Sequence, residues 1–271
     1  MHILENEVLR LEIADKGAEL SRVRDKELGC ERLWSADPAV WNRHAPILFP
    51  FVGKVVDGQY RLKGRVYPMK TQHGFARDLD FVTLEESRSS LCQLLCSTAE
   101  TREIYPFDFR LLVRHRLDGE NPRLLHIEWE VTNTGEACMY YAIGGHPGFL
   151  PPEGVRKEDC FLGFPGKEHL RYISANPAGF ALPEAVKELR LDGGLAPLRC
   201  GHPGDLDLRA AGRRDRADRP PGQDALGDDA LRAVPHPRRL GQSRGSLPLP
   251  GALDRPLRRR GFCRRYLREG L

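Results

Sequence analysis

Two histidine-bearing motifs are the parts of this chain best suited to chemistry. Residues 72–77 read Gln-His-Gly-Phe-Ala-Arg, and residues 144–149 read Gly-Gly-His-Pro-Gly-Phe. An imidazole titrates near neutrality, so His73 and His146 suit proton transfer. The neighbouring glycines allow the backbone to approach a ligand closely. A single histidine is more often structural than catalytic, so each of these two needs support from the rest of the chain.

A third motif precedes them in the chain. Residues 49–54 read Phe-Pro-Phe-Val-Gly-Lys, and residues 57–60 read Asp-Gly-Gln-Tyr. In this order and spacing, the motifs resemble those of the aldose 1-epimerase (galactose mutarotase-like) family over about residues 1–194. The resemblance implies an all-β protein, an antiparallel β-sandwich of the galactose mutarotase-like (supersandwich) type. It also implies a hexose or hexose phosphate as the substrate.

The reaction of that family gives the two histidines separate roles. Interconverting the α and β anomers of a sugar needs a base that takes the C1 hydroxyl proton and an acid that protonates the ring oxygen. The resemblance implies that His146 is this acid and that His73 forms a hydrogen bond near the same oxygen. Each positioned proton transfer contributes roughly 10²–10⁴ in rate. Because this chemistry needs neither a metal nor a redox cofactor, we expect none.

Four further residues are candidates for holding the sugar. The resemblance implies that Arg77 and Lys54 contact its hydroxyls or a phosphate. Related chains often carry Arg where Lys54 stands, and Lys keeps the charge but loses the two-pronged geometry of a guanidinium. Phe75 would flank the sugar or simply pack in the core. Arg43 lies just before the 49–54 motif and could reach the same pocket.

Alternating polar and apolar residues predict many short strands. Few helical signals accompany them: a single turn over residues 37–41 is indicated, with Asp37 as its cap. Residues 63–64, Lys-Gly, indicate a hairpin turn between two of the strands. The pattern favours an antiparallel sandwich with the 72–77 motif on a loop. The strands are expected at residues 7–13, 18–24, 49–56, 59–62, 65–67, 81–85, 91–96, 107–117, 124–133 and 139–143.

The C-terminal quarter of the chain, residues 195–271, differs in composition from the rest. It contains seventeen Arg, but no Lys, Trp, Ile, Thr, Met or Asn. Strands favour β-branched and aromatic residues, which this segment nearly lacks. The segment carries a formal charge of +8 and the remainder of the chain −4. Arg, Ala, Gly and Pro are residues of GC-rich codons, so this composition is typical of a GC-rich gene that is read in the wrong frame.

A reading in the next frame tests that interpretation. The family's base is a glutamate in a late Glu-Pro-Trp-x-Gly motif, which this chain lacks. Codons can be chosen for residues 251–262 that, read one nucleotide later, give Glu-Pro-Trp-Thr-Gly-Pro-Cys-Asp-Asp-Ala-Gly-Phe. We therefore predict a frameshift near residue 195. Residues 1–194 would form a β-sandwich that is incomplete at its C-terminus, and residues 195–271 would be an out-of-frame, disordered tail.

Composition also bears on where the chain acts and what it binds. No long apolar run and no signal-like N-terminus occur, so we expect a cytoplasmic protein that does not bind membranes. Seven irregularly spaced cysteines argue against a disulfide framework. Two alternatives to an epimerase remain open: a sugar-binding protein without catalysis, and a nucleic-acid binder that uses the Arg-rich tail. The arginines of that tail alternate with aspartates and lack aromatic partners, which disfavours nucleic acid.

Overall fold

The computed structural model describes residues 1–156, 159–164, 166–176, 178, 180–197 and 232–235. The chain divides into two compact units between Leu150 and Pro151, and each unit is described by itself. The first unit has strands β1 (His2–Glu5), β2 (Leu9–Ile13), β3 (Leu20–Asp25), β4 (Cys30–Glu31), β5 (Ile47–Leu48), β6 (Gln59–Leu62), β7 (Arg65–Pro68), β8 (Val82–Glu86), β9 (Ser90–Cys96), β10 (Phe109–Leu117), β11 (Leu125–Asn133) and β12 (Gly144–Gly145). It also has one α-helix, α1 (Ala99–Ile104), and two 3-10 helices (Val56–Gly58 and Ala76–Asp78).

Two antiparallel sheets of four strands form most of the first unit. One has the order β1-β2-β3-β4 and the other the order β11-β10-β9-β8. Strand β10 is central to the second sheet and shows the alternation of a half-buried strand. Its inward side chains are Phe109, Leu111, Val113, His115 and Leu117, all of them buried.

The inward face of β10 carries a core of two parts. Near its C-terminal end, Leu117 packs with Leu4, Leu11 and Ile13 of the first sheet. Towards its N-terminal end, Phe109, Leu111 and Val113 pack with aromatic side chains that include Phe49 and Phe75. Two layers with one apolar face each define an antiparallel sandwich, so this prediction is confirmed.

Two predicted strands are wrong in their extent. Residues 49–56 form no strand in the structure, and only Ile47–Leu48 before them pair with β12. Proline lacks a backbone N–H, so Pro50 cannot donate to a sheet. The carbonyl of Phe49 instead accepts hydrogen bonds from the backbone amides of Phe75 and Ala76. The stretch therefore serves as a support for the 72–77 loop.

The second error concerns residues 139–143, which form no strand. The amide of Ala142 donates to the carbonyl of Pro50, and regular pairing begins only at Gly144. Most other predicted strands have counterparts within two residues, and the 59–62 and 65–67 hairpin is confirmed. Helix α1 was not predicted; Thr98 caps it through a hydrogen bond from the Thr101 amide.

The second unit contains strands β13 (Cys160–Gly163), β14 (His169–Ala175), β15 (Ala181–Arg190), β16 (Leu195–Pro197) and β17 (Arg232–Pro235). Strands β14 and β15 form an antiparallel hairpin, and β13 lies between β16 and β17. Thus β16 and β17 belong to the segment that we predict to be out of frame. The rest of that segment, residues 198–231 and 236–271, lies outside the described residues. Its predicted disorder stays a prediction.

Candidate functional site

The loop that carries His73 is fixed by backbone hydrogen bonds to the 49–54 motif. The amide of His73 donates to the carbonyl of Gly53 (2.8 Å), and the carbonyl of His73 accepts from the amide of Phe49 (3.1 Å). His73 and Gly74 both have left-handed backbone angles, with φ of 67° and 73°. A Cβ on Gly74 would lie 2.2 Å from the carbonyl oxygen of Phe49. Only glycine therefore allows the two stretches to approach so closely.

The same contacts define the tautomer of the His73 imidazole. The side chain is 6% exposed, and its Nδ1 accepts a hydrogen bond from the backbone N–H of Gly53 (3.0 Å). Because a backbone amide can only donate, Nδ1 must be unprotonated, and the ring proton lies on Nε2. His73 is thus arranged to donate a hydrogen bond from Nε2 to an oxygen.

His146 lies next to this imidazole. Strand β12 pairs with β5, and the amide of His146 continues the pairing by donating to the carbonyl of Pro46 (3.1 Å). The His146 side chain is exposed, and its ring centroid is 5.8 Å from that of His73. The fold therefore brings together two histidines that are 73 positions apart in the chain. One of them is accessible to a solute, and the other is buried and oriented.

Two arginines lie beside one carboxylate in the neighbouring part of the first unit. Arg43 donates to the carbonyl of Arg77 (3.2 Å) and to the carboxylate of Asp78 (2.5 Å). Burial lowers the pKa of Arg77, and the charge of Arg43 lowers it further, whereas Asp78 opposes both effects. Among the described residues, the buried Nε of Arg77 finds no hydrogen-bond partner. A cation held in this way is suited to bind an oxygen-rich ligand.

Two predicted binding residues are placed differently from these arginines. Lys54 is exposed next to the buried Gly53. Phe75 is 5% exposed and packs edge-on against Phe49, with ring centroids 6.4 Å apart. Of the two alternatives for Phe75, the structure therefore shows packing in the core. Its ring forms no accessible wall for a sugar.

Trp41 is a residue of the site region that the sequence analysis missed. Its ring centroid lies 5.2 Å from that of His146. The residues around it form a turn, as expected, in which the amides of Val40 and Trp41 donate to the carbonyl of Asp37. The available signal was the pair of tryptophans, Trp34 and Trp41, on either side of this turn. Tryptophans that flank a turn close to a binding motif are candidates for contacts with the site.

Other histidines of the first unit lie in structural positions. His115 is 1% exposed, and burial lowers its pKa to about 4. His126 forms a hydrogen bond with Asp118 at 2.8 Å. His115 lies in β10 and His126 in β11.

Metal and membrane sites were also sought in the part of the chain that the structure describes. It contains no group of three or more His, Cys, Asp or Glu side chains that could hold a metal ion. None of its helices has the length and apolar composition to cross a bilayer. The proposed nucleic-acid contacts concern arginines of the tail that lie almost entirely outside this part.

The architecture around the paired histidines defines the class of protein. Two solved structures share it: a galactose mutarotase related enzyme from Lactobacillus acidophilus (TM-score 0.68, 33% identity, 73% of this chain and 65% of that chain) and a galactose mutarotase-like protein from Lactobacillus casei (TM-score 0.65, 34% identity, 73% and 67%). The fold is therefore galactose mutarotase-like, as the motifs implied.

Sequence comparison then identifies the family. The family model described as aldose 1-epimerase matches residues 1–178, so the chain belongs to the aldose 1-epimerase family. It is also similar to the protein LacX (plasmid) of Lactococcus lactis subsp. lactis, with 36% identity over 168 residues. That match covers 59% of this chain and 55% of the relative. The chain thus matches about half the length of this curated relative.

Proposed function

We propose that the chain derives from an aldose 1-epimerase that interconverts the α and β anomers of a hexose or hexose phosphate by acid/base ring opening. The observation that carries this proposal is the juxtaposition of an oriented His73 and an exposed His146, with ring centroids 5.8 Å apart. Membership in an isomerase family supports it. We also propose a cytoplasmic location, with which the buried thiol of Cys92 and the irregular spacing of the seven cysteines are consistent.

The steps of the reaction follow from the donors that are present. The ring oxygen of the sugar accepts a proton from His146 as its bond to C1 breaks, while the Nε2–H of His73 donates a hydrogen bond to the same oxygen. A base removes the C1 hydroxyl proton, and a C1 carbonyl forms. Rotation of this carbonyl and reversal of both proton transfers close the ring as the other anomer. The arrangement stabilises charge on one oxygen from two sides.

Arg77 and Arg43 supply the binding component of this proposal. Their guanidinium groups lie beside a single carboxylate, Asp78, and the Nε of Arg77 has no hydrogen-bond partner among the described residues. Sugar hydroxyls, or the phosphate of a hexose phosphate, would bind through the part of the Arg77 side chain that is exposed (16%), since the Nε itself is buried. Lys54 adds an exposed cation to the same motif region.

The base is the component that this chain lacks by our interpretation. The glutamate of the Glu-Pro-Trp-x-Gly motif would be encoded in the shifted frame. Groups that act together in one proton-transfer reaction are strongly non-additive. We therefore expect no mutarotation above the uncatalysed rate from the 271-residue chain, and activity from a frame-restored chain in which one nucleotide near codons 190–200 is corrected.

Polarimetry of freshly dissolved α-glucose and α-galactose, with a coupled assay for glucose 6-phosphate, tests both expectations. Strong activity in the 271-residue chain would contradict the frameshift or the role of the glutamate. An inactive frame-restored chain that nevertheless shows sugar-dependent thermal shifts would favour the second candidate, sugar binding without catalysis. The observation that favours sugar binding without catalysis is that the 271-residue chain lacks the family's glutamate motif.

A further inference from the structure

One loop of the first unit contacts both the paired arginines and the paired histidines of the candidate site. We call residues 35–43 the Trp41 loop. Near its C-terminal end, Arg43 donates to the carbonyl of Arg77 and to the carboxylate of Asp78. Two positions earlier, Trp41 lies against His146. The loop thus connects the arginines with the proposed acid, although no part of it belongs to the three motifs.

The two ends of the Trp41 loop meet at one residue. The amide of Trp34 donates to the carbonyl of Gly148 (3.0 Å), and the amide of Gly148 donates to the carbonyl of His44 (2.7 Å). The indole N–H of Trp34 also donates to the carbonyl of Trp41 (2.7 Å) across the base of the loop. Because Gly148 lies two residues after His146, these bonds fix Trp41 relative to the proposed acid.

Packing at this junction leaves little space. A Cβ on Gly148 would lie 2.9 Å from the Cβ of Trp34 and 2.9 Å from the Trp41 ring.

His146 itself is exposed, and an exposed side chain exchanges between rotamers unless something restricts it. Among the described residues, the rings of Trp41 (5.2 Å) and His73 (5.8 Å) lie next to it. Trp41 therefore covers a side of the imidazole that solvent would otherwise occupy.

We propose that Trp41 is a positioning residue of the site, whose indole restricts the His146 imidazole to the orientation beside His73. The inference rests on the proposed function, because the purpose of this restriction is to hold the acid where the ring oxygen of the sugar lies. Its physical basis is the contact between the indole and the imidazole, whose ring centroids are 5.2 Å apart. A weak contact of this kind shifts a rotamer equilibrium several-fold.

The test uses Trp41→Ala, the conservative Trp41→Phe, and Val40→Ala as a matched control, since Val40 is the neighbouring residue and is 73% exposed. NMR spectra of the His146 ring are recorded for the 271-residue chain and for the frame-restored chain. In Trp41→Ala, the His146 ring signals should shift, and the side-chain couplings of His146 should be averaged over several rotamers. Trp41→Phe should preserve the restricted rotamer, and Val40→Ala should change nothing. An unchanged His146 rotamer in Trp41→Ala would overturn the proposal.

Kinetics of the frame-restored chain separate positioning from sugar binding. Trp41→Ala should lower kcat several-fold with little change in KM, Trp41→Phe should recover most of the rate, and Trp41→Ala should have no further effect in a His146→Ala background. A higher KM at unchanged kcat, or an equal effect with and without His146, would show that positioning is wrong. If the frame-restored parent shows no mutarotation, the proposed function fails, and the NMR result alone decides whether Trp41 holds the ring.

Discussion

At the scale of single residues, the candidate site depends on a division of work between two imidazoles. His73 uses Nδ1 to accept from the Gly53 amide, so its position and tautomer are set by the backbone. His146 is exposed; its backbone amide is bonded to the carbonyl of Pro46, and its ring lies beside that of Trp41. The candidate site therefore combines a buried donor with the exposed imidazole that we propose as the acid, and the two should respond differently to substitution.

Replacing the acid should affect rate and not folding. In the frame-restored chain, His146→Ala should lower kcat by roughly 10²–10⁴ with an unchanged unfolding midpoint. His169→Ala, which removes an exposed histidine of the second unit, is the control and should leave both unchanged. Polarimetry and thermal melts make the comparison. A wild-type rate in His146→Ala would remove the assignment.

The two nitrogens of His73 can be tested separately. His73→Asn keeps an oxygen near the position of Nδ1, and Asn tolerates the left-handed backbone angle of this residue. We expect this variant to fold normally but to lose rate, because the Nε2 donor is gone. His73→Leu also leaves the buried Gly53 amide unsatisfied and should cost a further 1–3 kcal/mol or so of unfolding free energy. Equal denaturant midpoints for the two variants would contradict the assignment of Nδ1 as the acceptor from the Gly53 amide.

At the scale of elements, loops rather than strands hold the site, and their close approach depends on glycine. Gly74 and Gly64 both have positive φ angles, of 73° and 82°. They differ in space: an added Cβ meets the Phe49 backbone at Gly74, whereas nothing lies within 4 Å at Gly64. Alanine variants at these two positions therefore distinguish the cost of backbone strain from the cost of a steric clash.

Gly64→Ala should cost about 1 kcal/mol, which is the strain of a left-handed alanine. Gly74→Ala should cost roughly 3 kcal/mol or more, because the 72–77 loop must move away from Phe49. Urea unfolding of the frame-restored variants measures both costs. Similar losses in the two variants would mean that the loop relaxes easily and that the close approach is not required.

Strand β10 carries a titratable group whose effect has a defined sign. Burial lowers the pKa of His115 to about 4, below the value of about 6.5 in an unfolded chain. Below pH 6.5 the unfolded chain binds a proton that the folded chain does not. Stability is therefore fully present above pH 6.5 and decreases as the pH falls towards 4.

His115→Leu should remove this part of the pH dependence. Between pH 7.5 and pH 5, the unfolding free energy of the parent should fall by on the order of 2 kcal/mol more than that of the variant. His2 contributes with the opposite sign: burial lowers its pKa, but hydrogen bonds to Asp15 and Glu86 outweigh this and raise it. Because both chains contain His2, its contribution cancels. If the unfolding free energies of the parent and of His115→Leu depended on pH in the same way, His115 would be solvated.

The strands were predictable where one physical rule governs them. Strand β10 alternates buried and half-buried residues, and Lys63-Gly64 forms the expected turn of a two-residue hairpin. The errors arose where tertiary contacts override local pattern. Residues 49–56 are apolar enough for a strand, yet Pro50 cannot donate and the 72–77 loop takes the bonds of Phe49.

The site was predictable to a similar degree. The motifs provided both histidines and Arg77 as candidates, and Arg43 was predicted from its position just before the 49–54 motif. The fold brings the two histidines together and places Arg43 against Arg77. The motifs could not show that Phe75 faces the core or that Trp41 contacts His146. Both depend on which direction a side chain takes within a loop, and periodicity carries no information about that.

At the scale of the whole molecule, the edges of the sheets determine how the chain behaves in solution. Strand β11 lies at an edge of its sheet, with no partner beyond it among the described residues. Unpaired edges promote association between chains. If the late strands of the family are out of frame, the 271-residue chain should aggregate readily, and protease should cut quickly after about residue 195.

Limited proteolysis with mass spectrometry, followed by size-exclusion chromatography, tests this expectation against the frame-restored chain. The restored chain should resist the protease and elute as a single species. A 271-residue chain that is equally resistant and monomeric would show that residues 195–271 are a genuine part of the fold.

The junction at Gly148 has a consequence for how such a site could diversify. Since both ends of the Trp41 loop are bonded to this one residue, the loop is a nearly closed ring of backbone whose length can vary at little thermodynamic cost, about 0.6 kcal/mol for each doubling. Insertions within residues 35–40 would therefore leave the sheets intact while displacing Trp41 from His146. Changes of length in this ring would thus alter the rate of the reaction without altering the stability of the sheets.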